Sequence, residues 1–185
     1  MSIKQRWLYL DLRHAVANAG RVTDAMTASP IAGATVKVIE GPPEFQTLLA
    51  IFSQDPDWKD LPERLDRTVT RADGIFVLKD LPPGEYRLRV TAPPPRRRYS
   101  TFETDPATPL TVWAEDERDE AGRIRFDSLD IILSPTRIEG QITQAGNGEP
   151  VGRARVRLRG DTAYVATDAD GRYALTHVAA GSPRI

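Results

Sequence analysis

Apolar and polar residues alternate in short segments along most of the chain. In residues 85–90, Tyr86, Leu88 and Val90 fall on one face of an extended strand, and charged residues fall on the other. Glycine or proline separates these segments about every 8 to 15 residues, a spacing that predicts an antiparallel β-sandwich. The predicted strands are residues 7–13, 16–23, 34–39, 67–70, 75–79, 85–91, 110–114, 124–133, 137–143, 154–159, 164–167 and 173–176.

The sequence also contains an internal repeat. Residues 20–38 correspond to residues 140–158 at a constant offset of 120, and residues 70–84 correspond to residues 167–181 at an offset of 97. The first copy therefore carries 23 additional residues, the difference between the two offsets, within the segment 40–66. Two copies of one unit predict two modules, of which the first is interrupted by an insertion.

Both copies carry turn residues at corresponding positions. An Asp-Gly pair predicts a hairpin turn, because glycine adopts positive φ readily and the aspartate side chain bonds its own backbone. A further glycine predicts the next turn, before the closing strand. The predicted turn residues are Asp73, Gly74, Gly84, Asp170, Gly171 and Gly181.

Residues 16–92 and 138–181 together resemble the carboxypeptidase regulatory-like domain family. The resemblance rests on the motifs Gly-x-Val/Ile-Thr, Pro-Ile/Val-x-x-Ala, Asp-Gly and Leu-Pro-Pro-Gly-x-Tyr. It implies an all-β fold of tandem transthyretin-like, or prealbumin-like, antiparallel β-sandwiches. The first module would span residues 1–135 and contain the insertion, and the second, incomplete module would span residues 136–185. Because such modules are attached to many unrelated proteins, the resemblance implies little about function.

The second copy stops four residues after Gly181, where the first copy continues into a full strand. A unit of about 50 residues without a disulfide or metal has only a small core. We therefore expect it to lean on the first module, to accept a strand from a partner, or to be the start of a longer natural protein.

The insertion contains apolar residues at positions 45, 48, 49 and 52, the spacing of one helical face. With proline at its start and Glu44 in its first turn, it predicts a short amphipathic helix followed by a loop. Two interpretations stay open: the helix covers the end of the sandwich, or it forms a partner-docking surface with the loop tryptophan. The residues of that candidate surface are Phe45, Leu48, Leu49, Phe52 and Trp58.

Arginine is concentrated in two places. Three prolines precede Arg96, Arg97 and Arg98, and in the second copy Arg155, Arg157 and Arg159 alternate with apolar residues. Each set is either an ordinary solvent-facing surface or a docking site for an acidic protein surface. An acidic loop, residues 115–123, lacks the ligand spacing of a calcium site and is interpreted as a solvent loop.

Composition removes several classes of protein. With 25 basic and 26 acidic residues, no cysteine and 40% hydrophobic residues, the chain is neither disordered nor held by disulfides. A net charge of −1 provides no field that would attract nucleic acid or an anionic membrane. Neither a membrane-spanning run nor a signal peptide is found, so we expect a cytoplasmic location, with residence in a larger particle as an open alternative.

Few residues in the sequence are candidates for catalysis or for binding a metal or cofactor. The two histidines, His14 and His177, lie in different copies, and His177 occupies the position of Asp80, which predicts a surface turn residue. No nucleophile elbow, P-loop or dinucleotide motif is present, so we expect no catalytic residue, no cofactor and no metal site.

Three functional hypotheses remain. The leading one is a non-enzymatic structural or adaptor protein that binds other protein subunits, by self-association or by strand donation at the C-terminal unit. The resemblance alone, without support from any residue pattern, suggests that such a protein is an accessory component of a phage-tail-like contractile particle. The alternative is a carbohydrate-binding module of the starch-binding-like sandwich type, with Trp58 or Trp113 as its stacking platform. An enzyme is the third.

Overall fold

The computed structural model describes residues 15–61, 63–93 and 98–178 of the 185-residue chain. Its elements are strands, apart from one α-helix and one short 3₁₀ helix, as the alternating sequence pattern predicts. In chain order the described elements are β1 (Val16–Asp24), β2 (Thr35–Glu40), α1 (Pro43–Phe52), the 3₁₀ helix (Pro56–Asp60), β3 (Arg67–Val69), β4 (Ile75–Lys79), β5 (Gly84–Thr91), β6 (Phe102–Glu103), β7 (Leu110–Val112), β8 (Ile131–Leu133), β9 (Arg137–Gln141), β10 (Arg155–Val156), β11 (Val165–Ala166) and β12 (Arg172–Thr176).

The first module is a sandwich of two sheets. One sheet has the strand order β4-β1-β8, and the other has the order β3-β2-β5-β6, with β7 also paired to β5. All pairs are antiparallel except β1 with β8, which run parallel. Inward-facing side chains of both sheets share one core, because alternate residues of each strand point to the same face. Its fully buried members include Val22, Phe76, Leu78, Tyr86, Leu88, Val90, Ile131 and Leu133.

The second module is smaller. In its described part, β9 pairs with β12 and β10 pairs with β11, both antiparallel. Its buried core consists of Val156, Leu175 and Val178, against which partly buried side chains pack. The all-β fold of two related modules, with one short helix inserted in the first, is confirmed.

The internal repeat appears again in the hydrogen bonds. The Thr70 hydroxyl donates to the Ile31 carbonyl at 2.7 Å and accepts the Ala34 N–H at 2.8 Å. The hydroxyl of Thr167 makes the same two bonds in the second module, to positions 151 and 154, at 2.6 and 2.8 Å. Both threonines are buried, so each hydroxyl satisfies two backbone groups that water cannot reach.

The predicted hairpin glycines have the backbone that the sequence requires. Gly74 has a φ of +78° and Gly171 a φ of +71°. A Cβ at Gly74 would lie 2.6 Å from the carbonyl oxygen of Val22, and one at Gly171 would lie 2.4 Å from that of Ile142. At the next turn Gly84 also has a positive φ, whereas Gly181 lies outside the described residues.

Several predicted strands differ from those observed. The prediction of a strand over residues 124–133 is wrong for its first part: the strand is only Ile131–Leu133. Ile124 and Phe126 alternate correctly, but both are exposed, so no buried face holds that part in a sheet. The predicted strand 154–159 is reduced to Arg155–Val156, β6 was not predicted, and the predicted strand 7–13 lies outside the described residues.

We predict that alanine at Gly74 destabilises the protein more than alanine at Gly122. Both glycines have a similar φ, +78° and +75°, but a Cβ at Gly122 meets nothing within 4 Å. Gly122→Ala should therefore cost only the left-handed backbone, about 1 kcal/mol, and Gly74→Ala more than about 2 kcal/mol. Urea denaturation measures both, and equal losses would contradict the role assigned to the Val22 contact.

We also predict that Thr70→Val destabilises the first module although valine has nearly the same shape. The substitution leaves the Ile31 carbonyl and the Ala34 N–H without the hydroxyl that now pairs with them, at a cost of about 1 to 3 kcal/mol. Thr70→Ser keeps the hydroxyl and is the control for the lost bonds. Chemical denaturation followed by tryptophan fluorescence separates the two variants, which should not have equal midpoints.

Candidate functional site

The insertion is attached to the sandwich by the first turn of α1. Phe45 is 1% exposed and packs edge-on against Tyr86, with ring centroids 5.5 Å apart. The Tyr86 hydroxyl donates to the Pro82 carbonyl at 2.6 Å, and burial, together with the negative charge of Glu44, raises the pKa of that hydroxyl well above its usual value. Phe45 is thus a core residue, and the prediction that it belongs to a docking surface is wrong, because no partner can reach it.

The other end of α1 reaches solvent. Ile51 is 57% and Phe52 48% exposed, and Leu61, beyond the 3₁₀ helix, is 42% exposed. The Phe52 ring stacks on Trp58 with centroids 5.9 Å apart and planes at 7°. Leu48 and Leu49 are half-buried between the two ends of the helix, and Leu49 packs against the core. The helix therefore does both things that the sequence left open: it covers the core with one end and exposes apolar side chains at the other.

We call this exposed region the insertion surface. It consists of the exposed side chains of Ile51, Phe52 and Leu61, the half-buried Trp58, and the exposed carboxylates of Asp55, Asp57, Asp60 and Glu63.

One arginine is already bound at the insertion surface. The Arg64 guanidinium lies over the Trp58 ring, 5.3 Å from its centroid, and donates to both carboxylate oxygens of Asp66 at 2.9 and 3.2 Å. Both side chains of this pair are largely buried. Phe52, Trp58 and Arg64 also line a cleft of about 300 Å³, whose rim carries the ion pair between Lys79 and Glu63 at 3.3 Å. The guanidinium of Arg64 is thus bound by two groups at once, an aromatic ring and a carboxylate.

The two tryptophans considered for sugar stacking are both engaged by other side chains. Trp58 carries Phe52 and Arg64, as described above. The Arg125 guanidinium lies 3.6 Å from the centroid of the Trp113 ring, whose indole N–H donates to Asp127 at 2.9 Å. Since these side chains occupy ring surface that a sugar would need, the structure gives no support to the carbohydrate-binding alternative.

The arginines of the second module point to solvent. Arg155, Arg157 and Arg159, here called the arginine row, are all exposed, while Val156 is buried and Leu158 half-buried between them. Arg155 lies over the ring of Tyr164 at 4.6 Å, and no member of the row has a carboxylate partner among the described residues. Of the other predicted arginines, Arg98 is exposed, and Arg96 and Arg97 lie outside the described residues.

A buried carboxylate joins the two modules. Asp24, at the end of β1, accepts the backbone N–H groups of Met26 and Thr27 on Oδ1, at 2.7 and 2.9 Å. Its Oδ2 lies 2.8 Å from the Tyr99 hydroxyl and 2.6 Å from His177 Nε2. Because an ionised carboxylate only accepts, the histidine proton lies on Nε2.

The prediction that His177 is a surface turn residue is therefore wrong in part. It does occupy a turn, with a φ of +56° like the +58° of its counterpart Asp80, but its ring is half-buried against Asp24 and Tyr99. Around it, Thr136 donates its N–H to the Arg98 carbonyl at 2.8 Å, and its hydroxyl lies between the carbonyls of Arg98, at 2.9 Å, and Val178. The second module thus rests on the first through a hydrogen-bonded joint.

The contacts at this joint shift the pKa values of Asp24 and Tyr99. Burial raises the pKa of Asp24, but the bonds from His177, Thr27, Met26 and Tyr99 together outweigh burial and hold it well below its usual range. Burial, followed by the Asp24 hydrogen bond and charge, raises the pKa of Tyr99 to about 12. Sequence reasoning missed Asp24 and Tyr99, because nothing local marks contacts between positions as far apart as Asp24 and Tyr99, 75 residues, or Asp24 and His177, 153 residues.

Comparison with known proteins places the chain in a family. The model of the carboxypeptidase regulatory-like domain matches residues 19–114 and 137–185. The chain belongs to this family. This carboxypeptidase regulatory-like protein matches the family model in two segments, and the second segment corresponds to the shorter copy. No curated protein matches the sequence.

Among solved structures, a streptococcal ancillary pilin is similar to this carboxypeptidase regulatory-like chain, with 10% identity and a TM-score of 0.38. The alignment covers 91% of this chain and 51% of the pilin, so the chain spans about half of the pilin's length.

The described part of the chain contains neither a metal-binding cluster nor a membrane-spanning helix. Within residues 15–61, 63–93 and 98–178, no group of three or more histidine, cysteine or acidic side chains could hold a metal ion. Over the same residues, no helix has the length and hydropathy needed to cross a bilayer.

The joint predicts a specific loss of stability in acid. Since the pKa of Asp24 is lowered by folding, its contribution is fully present above about pH 4 and is lost as pH falls from there toward the lowered pKa. Asp24→Asn should lower stability by about 2 kcal/mol at neutral pH and flatten this acid loss. Urea midpoints measured across pH test both effects.

Asp119 provides the control for this experiment. Its pKa is also lowered, chiefly by the backbone N–H of Arg123, but this pair lies in an exposed loop. Asp119→Asn should leave the acid limb of the stability profile nearly unchanged. An acid limb that is equally steep in wild type and Asp24→Asn would show that Asp24 does not carry the effect.

Proposed function

We propose that this chain is a non-enzymatic structural module that binds another protein through the insertion surface. The observation that carries the proposal is the exposure of Ile51, Phe52 and Leu61 on a segment that the second copy lacks. A module that needed only to fold could omit these residues, as the second copy does.

The way in which the surface is held supports this function. Phe45 and Leu49 attach α1 to the core, so the exposed side chains beyond them are carried on a fixed helix instead of a loose loop. A partner then orders few groups on binding, which reduces the entropic cost of association. Grouped exposed apolar residues with a charged surround are typical of protein interaction sites.

The chemistry of the described residues favours binding over catalysis. The joint holds a histidine beside a carboxylate, but Nε2 of His177 is engaged by Asp24, and both oxygens of that buried carboxylate already accept hydrogen bonds. These hydrogen bonds join groups of the two modules, so holding the modules together accounts for the cluster. Regulatory-like modules are likewise non-catalytic attachments in the family to which the chain belongs.

Strand addition is a second mode of contact within the same proposed function. In the first module β2 pairs on both edges, with β3 and β5, whereas in the described part of the chain β10 pairs only with β11. An edge without a neighbour can accept a strand from a partner. The cytoplasmic location and the phage-tail-like particle both stay predictions.

The proposal is tested by comparing two surface substitutions for retention of a partner. Tagged wild-type chain, Phe52→Ser and Ile132→Ser are used to isolate bound proteins from the native source. Ile132 is 61% exposed on β8 and is not part of the insertion surface, so it is the matched control. We expect wild type and Ile132→Ser to retain the same partner, and Phe52→Ser to lose at least about tenfold in affinity.

The same experiment can contradict the proposal. A partner that is retained equally by all three proteins binds somewhere else. Thermal unfolding of each variant checks that the exposed substitutions leave the fold intact, since surface changes usually alter stability by less than about 0.5 kcal/mol.

A further inference from the structure

The insertion surface has unpaired negative charge beside its aromatic rings. Asp57 and Asp60 are exposed and form no ion pair among the described residues, while Phe52 presents about half of its surface to solvent. Carboxylates next to aromatic rings are the surroundings that suit a guanidinium, which pairs with the former and stacks on the latter.

Arg64 shows that this part of the protein does bind a guanidinium. It is held over Trp58 and paired to Asp66, at the edge of the insertion surface. The insertion surface holds the same two kinds of group, the half-exposed ring of Phe52 and the exposed carboxylates of Asp57 and Asp60, and no arginine of the described chain pairs with these carboxylates.

The arginine row provides the complementary group. Arg155, Arg157 and Arg159 all reach solvent from one short segment of the second module, and they lack carboxylate partners in the described residues. The charge of the two modules differs in the same sense: residues 136–185 hold 7 arginines and 5 acids, and the first 135 residues hold 18 basic and 21 acidic residues.

Within one chain these two surfaces form no hydrogen bond or ion pair among the described residues, and the joint at Asp24 fixes how the modules sit. We propose that the insertion surface of one copy binds the arginine row of a second copy. This inference rests on the proposed function and names its partner. The two surfaces are different, so the contact is head-to-tail, and a bound pair still presents one free insertion surface and one free arginine row.

The proposal is tested on the full chain by sedimentation velocity. Since the contact is between exposed charges, association should weaken by about tenfold or more when NaCl is raised from about 0.05 M to about 0.5 M. Two charge-reversed proteins are compared with wild type: Arg155→Glu/Arg157→Glu/Arg159→Glu and Asp57→Arg/Asp60→Arg. Each alone should remain monomeric at low salt.

Mixing the two variants is the decisive step. The mixture brings together the intact insertion surface of one protein and the intact arginine row of the other, so association should return. Arg21→Glu/Arg71→Glu, at two exposed arginines outside both surfaces, is the control and should associate as wild type does. Circular dichroism of every variant checks that it is folded.

Three results would overturn the proposal: a wild-type chain that stays monomeric at low salt, association that the reversals leave unchanged, or a mixture that stays monomeric. These results are separable from the proposed function. If Phe52→Ser no longer retains a protein that the wild-type chain retains from the native source, the insertion surface binds that protein. In that case the proposed function stands, and only a second copy of this chain is excluded as the partner.

Discussion

The placement of the two modules depends on one buried carboxylate. Asp24 ends β1 in the first module, bonds its own turn, and accepts bonds from Tyr99, between β5 and β6, and from His177 of the second module. A buried charge is tolerated only where it is fully hydrogen-bonded, and four donors meet that condition here. Without it, the bonds from Thr136 to the Arg98 carbonyl would remain, but the second module would be held less firmly and the position of the arginine row would be less well defined.

The parts that the two copies share and the parts in which they differ have different roles. The bonds of Thr70 recur at Thr167, which means that both copies keep the same internal frame. The differences lie outside that frame: α1 and Trp58 occur only in the first copy, and the arginine row only in the second. Function in such a protein is expected where copies of one fold differ, because the shared part already accounts for folding.

The sequence predicted the local and repeated features. The turns at Gly74 and Gly171 follow from backbone sterics, and the spacing of apolar residues located α1. It did not predict that Phe45 enters the core while Phe52 stays outside, because periodicity defines a helical face and not how far a neighbour covers it. It also missed Asp24 with His177, since a long-range polar contact leaves no pattern in either neighbourhood.

The parallel pairing of β1 and β8 determines how the first module would carry load. Val22, Thr23 and Asp24 pair with Ile131, Ile132 and Leu133 in the same direction. Tension applied to the chain before β1 and after β8 would therefore pull the two strands lengthwise in opposite directions. Their backbone hydrogen bonds would then share the force in shear instead of opening one after another. The pairing that adds β8 to the sheet would thus let the first module resist tension along the chain.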